Sequence, residues 1–446
     1  MPRTPTAVSA PGKVLLAGGY LVLDREYTGL VYGLSARISV IAQEIKTSPG
    51  IQLTEIVVNS PQFLEAQWRY GYHLAPDDGG IKVTQFQVGS SINANPFVEI
   101  TLSYALSYIT TTEHYKPSNT FEPAQFTIIA DNDYYSQSHS MTGTEKNPTR
   151  FAKFPTALKD AHKTGLGSSA ALVTALTAAL LTQYLPTSAF DPATDASKRI
   201  LHNLAQAAHC AAQGKVGSGF DIAAAVYGSC RYRRFSPSVL QGLPEASTPK
   251  FAPALAACVN DNDGQWDVEI AKEGVAVPPG LALRMCDVDC GSQTVGMVKQ
   301  VLAWRQADPT NSRRIWDELQ ARNVALGALL SKNQTGEIVE AINQIRELIR
   351  AMGSESGVPI EPESQTSLLD ALMDVEGVHN GVVPGAGGFD ALALLVDDDE
   401  ATERRVEEFL VGWGREKGGA VRLLDVKGEM QGVRREELAQ YEGWVV

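Results

Sequence analysis

Between Ser168 and Tyr184 the chain runs almost entirely through Ala, Leu, Val and Thr, with no charge to mark a solvent face. Such a stretch predicts a helix buried on most sides, with Ser168 as its cap candidate. A second helix is expected from Ser197 to about Gln213, ending at Gly214. Val295 to Trp304, Arg313 to Leu330 and Thr335 to Met352 predict three successive helices, and Ala401 to Gly412 an amphipathic one. Pro96 to Thr112 is a further helix candidate. Val14 to Val40 alternates apolar and small residues, which predicts strands broken at Gly18-Gly19 and near Tyr27-Thr28-Gly29. Ile51 to Val58, Phe126 to Ala130, Leu281 to Val288 and Ala391 to Val396 read as further strands. Ala75 to Gly80 and Asp131 to Thr149 read as polar loops, and residues 236 to 265, rich in Pro, Ala and Asn, as a boundary region.

Composition changes this picture little. The 446 residues are 44% hydrophobic and 20% charged, enough for two or three domains at roughly 100–200 residues each. There is no internal repeat and no low-complexity tract. A net charge of −13 and a pI near 5.1 argue against nucleic-acid binding, which needs a basic face. A phosphate-rich small ligand is still compatible, because charges beyond about 8 Å are largely screened. Cys210, Cys230, Cys258, Cys286 and Cys290 lack CxxC spacing and read as reduced intracellular thiols. The apolar stretch Val14 to Leu23 ends in Asp24-Arg25-Glu26 rather than at a small-residue cleavage site. Ala170 to Leu181 is too short to span a bilayer, and Gly443-Trp444-Val445-Val446 carries no targeting tripeptide. A cytoplasmic protein without membrane insertion, monomeric or homodimeric, is expected.

Three glycine-rich loops carry candidate chemistry. Ala10-Pro11-Gly12-Lys13 holds a lysine just before a buried strand, where its ammonium can balance a phosphate; an ordinary turn with a solvated lysine is the alternative. In Lys163-Thr164-Gly165-Leu166-Gly167-Ser168-Ser169-Ala170-Ala171, glycines let the backbone approach a ligand, and N–H groups of the following helix point at an anion. No GxxxxGK[ST] string exists. The loop formally fits a dinucleotide GxGxxG/A pattern, but from Ser168 to Phe190 there is no acid to take a ribose. The third loop, Val383-Pro384-Gly385-Ala386-Gly387-Gly388-Phe389-Asp390-Ala391, again precedes an apolar run. Between them, Gly217-Ser218-Gly219-Phe220-Asp221 places an acid in a small-residue turn, where it can orient a hydroxyl or simply cap a helix. A lysine beside this carboxylate would hold it charged.

In order, Pro11-Gly12-Lys13-Val14, Gly165 to Ala171 and Pro384 to Ala391 resemble the three motifs of the GHMP kinase superfamily. Leu16 to Asp24, His209 to Asp221 and Gly385 to Ala391 are similar to the eukaryotic-type phosphomevalonate kinases within it. The resemblance implies an α+β two-lobe fold: a ribosomal-protein-S5-like, ATP-binding lobe over residues 1 to 235, a ferredoxin-like, substrate-side lobe over 236 to 446, and an active site in the cleft. It implies transfer of the ATP γ-phosphate to 5-phosphomevalonate, with Mg²⁺, in isoprenoid and sterol synthesis. A mevalonate kinase, a diphosphomevalonate decarboxylase and a non-catalytic sensor on the same fold are the alternatives.

Carried over by motif, Lys13 and Asp221 are the catalytic candidates. Lys163, Gly165, Leu166, Gly167, Ser168, Ser169 and Ala170 would bind ATP, with Ser168 or Ser169 also touching the metal. Tyr20, Ser218, Gly219, Gly385, Gly387, Gly388 and Asp390 would line the substrate side, together with Ser292, Gln293 and Thr294. Where mevalonate kinases place a metal-binding glutamate, Ala205 to Gln213 carries no acid, which leaves His209 and Gln213 as candidates to assist. The acceptor is already an anion, so Asp221 need not remove a proton, and phosphoryl transfer rests mainly on alignment and charge stabilisation.

Overall fold

The computed structural model describes residues 4–46, 48, 54–86, 94–115, 121–136, 149–288, 294–332 and 334–445. The chain opens with two long antiparallel strands, β1 (Thr6–Ala17) and β2 (Gly29–Glu44), joined by a turn that holds one 3₁₀ helix at Leu21–Leu23. Three strands follow, β3 (Glu55–Asn59), β4 (Gln67–Leu74) and β5 (Ile81–Gln85), then helix α1 (Pro96–Thr110) and β6 (Ala124–Ala130). Helices α2 (Ser168–Tyr184), α3 (Asp195–Gln213) and α4 (Phe220–Tyr227) lead to β7 (Cys230–Arg233), α5 (Ser238–Gln241), α6 (Phe251–Asn260) and β8 (Glu269–Ala271).

The second half begins at β9 (Leu281–Val288). It continues through α7 (Thr294–Ala307), α8 (Pro309–Lys332), α9 (Thr335–Ser356) and α10 (Glu363–Leu372) to β10 (Val378–Val382) and β11 (Ala391–Asp397). Helix α11 (Glu400–Lys417), β12 (Val421–Glu429) and β13 (Arg434–Glu436) complete it.

The first lobe is a sheet in the order β2-β6-β3-β4-β5, with β1 on the other side of β2. Helix α2 packs on β1 and β2 and is covered by α1, α3 and α4. This explains its lack of a polar face: Val173, Leu176, Leu180 and Leu181 are fully enclosed. In the second lobe, β9, the α7–α10 helices, β10, β11, α11 and β12 give a βαββαβ order, and the strands stand as β10-β11-β9-β12. That is the split-βαβ, ferredoxin-like arrangement. Its own core joins Leu392, Leu394 and Val396 of β11 to Leu368 and Leu372 of α10 and to Val406 and Leu410 of α11. The lobes share one continuous sheet, because β12 pairs with β2 through Gly428 opposite Leu34 and Glu429 opposite Gly33.

Two stretches assigned beyond residue 235 pack with the first lobe. Helix α6 lies on α1 and α3, β8 pairs with β7, and β13 pairs with β1, Ser9 opposite Arg434. The expected boundary region of 236 to 265 therefore holds two helices: its apolar residues, such as Phe251 and Leu255, are buried rather than exposed in a linker. The cap expected at Ser168 is instead Gly167, in the left-handed conformation and with no side-chain cap. Residues 51–53 of the expected Ile51 strand lie outside the described residues; the strand there is β3.

His202 of α3 is 1% exposed, packed edge-on against Trp266, and its Nε2 has no partner. Burial pushes its pKa down to about 4, against a weaker opposing effect of the Asn203 side chain. Between the unfolded value of about 6.5 and that depressed value, the unfolded chain takes up a proton that the folded chain refuses, so stability falls as pH drops through this window. This one group should remove about 2 kcal/mol between pH 7 and pH 5. Urea denaturation at the two pH values should show that loss in the wild type and a correspondingly smaller one in His202→Phe.

Candidate active site

The loop before α2 is fastened from behind. Thr164 donates its hydroxyl to the Asp133 carbonyl, and its N–H goes to the Tyr134 carbonyl at 3.2 Å. Gly165 and Gly167 take φ of 75° and 82°, a region that costs other residues about 1–2 kcal/mol. Gly167 is the N-terminal cap and no side chain satisfies the first turn. The N–H groups of Ser168, Ser169 and Ala170 are thus orphan donors at the positive end of a 17-residue helix dipole. The side chains of Leu166 and Ala170 are buried, so these two residues offer only main chain.

Strand β1 meets this loop at Lys13. A register shift between Pro11 and Lys13 interrupts the pairing, as a bulge does when it re-aims a side chain. Lys13 N–H then donates to the Leu166 carbonyl at 2.8 Å, and its Nζ to the Gly165 carbonyl at 3.0 Å. The stem passes so close that a Cβ on Gly167 would lie 2.9 Å from Lys13 Cε. Nζ also stands 5.9 Å from the centre of the Phe220 ring. Burial lowers the Lys13 pKa, and the negative charge of Asp221 opposes that effect. The two catalytic candidates are therefore electrostatically coupled.

Asp221 lies in the first turn of α4, after Gly219 at φ 84°. A Cβ on Gly219 would come within 2.7 Å of Tyr232 Oη, so Gly219 serves packing, while Ser218 beside it lines the cleft. Asp221 Oδ2 is 3.9 Å from Nδ1 of His209, whose Nε2 is 3.1 Å from Ser169 Oγ. Arg234 ties the loop down by donating to the carbonyls of Gly217, Val216 and Leu23.

The third loop closes the far side. Gly385 N–H donates to the Leu15 carbonyl at 3.1 Å, and Tyr20 Oη to the Ala386 carbonyl at 2.7 Å. Tyr20 itself is held at φ 66°, an uncommon conformation for an aromatic residue. Gly388 N–H donates to the Ile360 carbonyl at 2.9 Å. The neighbouring Glu361 carboxylate is 1% exposed and accepts from Arg346 and Arg350, each at 2.8 Å.

Together these loops enclose a cavity of about 350 Å³ that Lys13, Tyr20, Gly165, Ser218, Gly387 and Asp390 help to line. A second cavity, about 190 Å³, opens on the other side of the phosphate loop against Ser168, Ser169 and Lys163. Gly388 is buried beneath Met297 and does not line the first cavity. Ser292 and Gln293 lie outside the described residues, and Thr294 starts α7, whose Val298 lines that cavity.

Residues 154–229 match the family model described as the GHMP kinases N terminal domain. The chain is 64% identical over 444 residues to phosphomevalonate kinase ERG8 of Gibberella zeae, covering 99% of each. The chain belongs to the phosphomevalonate kinase family. It is also 43% identical to phosphomevalonate kinase erg8 of Aspergillus fumigatus, with 100% of this chain and 99% of that protein covered. In fold it resembles a Streptococcus pneumoniae phosphomevalonate kinase solved with phosphomevalonate and AMPPNP. The TM-score is 0.62 at 16% identity, over 95% and 99% of the two chains.

In this kinase the second cavity adds residues that the motifs did not reach: Trp68, Asn95, Phe97, Tyr135, Leu158 and Lys159. Asn95 alone had a local signal, a helix-capping residue before Pro96. The rest converge from β4, α1, the isolated β-bridge at Tyr135 and the 3₁₀ helix Leu158–Asp160. The close approach of Lys13 to Gly167 gives a direct test. Gly167→Ala should cost on the order of 1–2 kcal/mol of stability by urea denaturation and weaken ATP binding by calorimetry. Gly214→Ala, also at positive φ but in open space at the end of α3, should lose stability without losing ATP affinity.

Proposed function

We infer that the chain transfers the γ-phosphate of ATP to (R)-5-phosphomevalonate, giving (R)-5-diphosphomevalonate and ADP in the mevalonate pathway. Besides family membership, the observation that carries this reading is the phosphate loop standing between two cavities, with Ser168 and Ser169 of the uncapped α2 N-terminus lining the smaller and Lys13 and Gly165 the larger. We assign ATP to the smaller cavity. There Trp68, Phe97 and Tyr135 supply faces for a base, and the loop N–H groups and the Ser168 hydroxyl supply donors for the triphosphate. The acceptor occupies the larger cavity, against Tyr20, Ser218, Gly387 and Asp390. On this assignment the first lobe carries the nucleotide and the second completes the acceptor side.

The acceptor phosphate has a second pKa near 6, so its attacking oxygen is an anion at neutral pH and needs no base. Two anions must instead be brought together. Lys13, partly withdrawn from water, offsets their repulsion where it is strongest. Asp221 keeps Lys13 charged and oriented. Mg²⁺, where a site takes it with a nucleotide, is usually bound through substrate phosphates and water with one or two protein carboxylates. Among the described residues no group of three or more His, Cys, Asp or Glu could hold a metal unaided. The Ser168 and Ser169 hydroxyls and the Asp221 carboxylate suit an ion that arrives with the triphosphate. When bound, it supplies further neutralisation of the β- and γ-phosphates.

No described helix is long and apolar enough to cross a membrane. The free, buried thiols of Cys210, Cys230 and Cys286 support the cytoplasm as the proposed compartment.

A coupled ADP-release assay should show turnover with 5-phosphomevalonate and little with mevalonate; the reverse preference would overturn the substrate assignment. Lys13→Met and Asp221→Ala should each lower turnover about 10²–10³-fold while melting near the wild-type temperature. Near-normal rates in both would remove them from the mechanism.

A further inference from the structure

We propose that His209 is a positioning residue that joins the phosphate loop to Asp221 through its two ring nitrogens. The proposal rests on the phosphotransfer reading above and extends it to a residue in Ala205 to Gln213, the acid-free C-terminal part of α3.

His209 faces inward from α3 and is only 2% exposed. Its ring lies 5.7 Å from that of Phe97, a residue of the smaller cavity. Nε2 stands 3.1 Å from Ser169 Oγ and 3.2 Å from the amide nitrogen of Gln213. With the Gln213 amide nitrogen and the Ser169 hydroxyl both directed at it, Nε2 is their shared acceptor and a ring proton sits on Nδ1. That proton faces Asp221, whose Oδ2 is 3.9 Å away. The distance is too long for a formed hydrogen bond, but catalytic contacts are often long before substrate binds and tighten in the complex.

Two consequences follow from this tautomer. A Ser169 hydroxyl that donates to Nε2 keeps both oxygen lone pairs free for a cation or another donor. Asp221, facing Nδ1–H on one side and Lys13 on the other, is held in one orientation. One buried ring thereby sets the position of a nucleotide-side oxygen relative to an acceptor-side acid. Phosphoryl transfer is sensitive to that registration, since a small misplacement of reacting groups costs about 10²-fold. The group touches neither substrate in this scheme, so its loss should appear in turnover rather than in acceptor binding.

The test uses the full chain and ADP release with 5-phosphomevalonate. His209→Phe keeps the ring against Phe97 and removes both polar contacts. It should lower kcat about ten- to hundred-fold, leave KM for 5-phosphomevalonate within about threefold, and melt close to wild type. His209→Gln, whose side-chain amide reaches toward Ser169, should recover part of kcat. A kcat within about threefold of wild type in His209→Phe would overturn the proposal. So would a loss that His209→Gln does not recover and that tracks thermal stability.

If His209→Phe does not fold, a double-mutant cycle of His209→Gln with Ser169→Ala decides. Effects on kcat that fail to add support the link, and additive effects overturn it. A wild-type protein that releases no ADP with 5-phosphomevalonate would instead overturn the phosphotransfer reading itself.

Discussion

The molecule is organised around the place where a strand and a helix N-terminus are pinned together by one residue. Lys13 gives its backbone N–H to Leu166 and its ammonium to Gly165, so the loop cannot drift from β1 without losing both bonds. Nearly everything around it answers to that constraint. Gly12 must lack a side chain because Leu166 and Tyr134 already occupy the space at 2.9 Å. Gly167 must lack one because the lysine stem does. Helix α2 must be buried on most sides, because it runs between the first sheet and three other helices. A helix exposed on one face would leave its first turn less firmly placed.

Charge then follows from geometry. An ammonium withdrawn from water loses hydration, which depresses its pKa, and Asp221 restores part of what burial removes. A chain with a net charge of −13 can still attract polyanions here, because the field that matters is set by Lys13, one helix end and an incoming cation. Acids farther from the site than a screening length of about 8 Å contribute little to that field. The third loop brings one carboxylate, Asp390, to the cleft. It is anchored on two sides, by Leu15 and Tyr20 in the first lobe and by Ile360 in the second.

What could be read from residue order alone was what local physics decides. The run from Ser168 to Tyr184 has one sensible structure, and the glycines before it fit a backbone that must approach a ligand. Helix α4 escaped notice because Phe220 to Tyr227 spans only eight residues and is nearly all apolar, with no polar face to set a period. The aromatic side of the smaller cavity escaped for a different reason: Trp68, Phe97 and Tyr135 are brought together only by the sheet register and by α1. The helix expected from Ser197 to Gln213 is there as α3, but its residue order carried no information on what His209 would meet. The Glu361 anchor beneath the third loop was likewise invisible, since its arginines come from the preceding helix α9.

The pairing of β13 with β1 has a bearing on how the chain comes to be made. Ser9 and Arg434 are neighbours in the sheet, although more than four hundred residues are synthesised between them. At elongation rates of 5–20 residues per second the outer edge of β1 waits on the order of tens of seconds for its partner. Throughout that interval the strand that carries Lys13 presents unpaired backbone groups to the cell, the situation in which nascent sheets associate wrongly. The start of the first lobe thus emerges from the ribosome well before the second lobe, yet the first lobe is among the last parts to be completed.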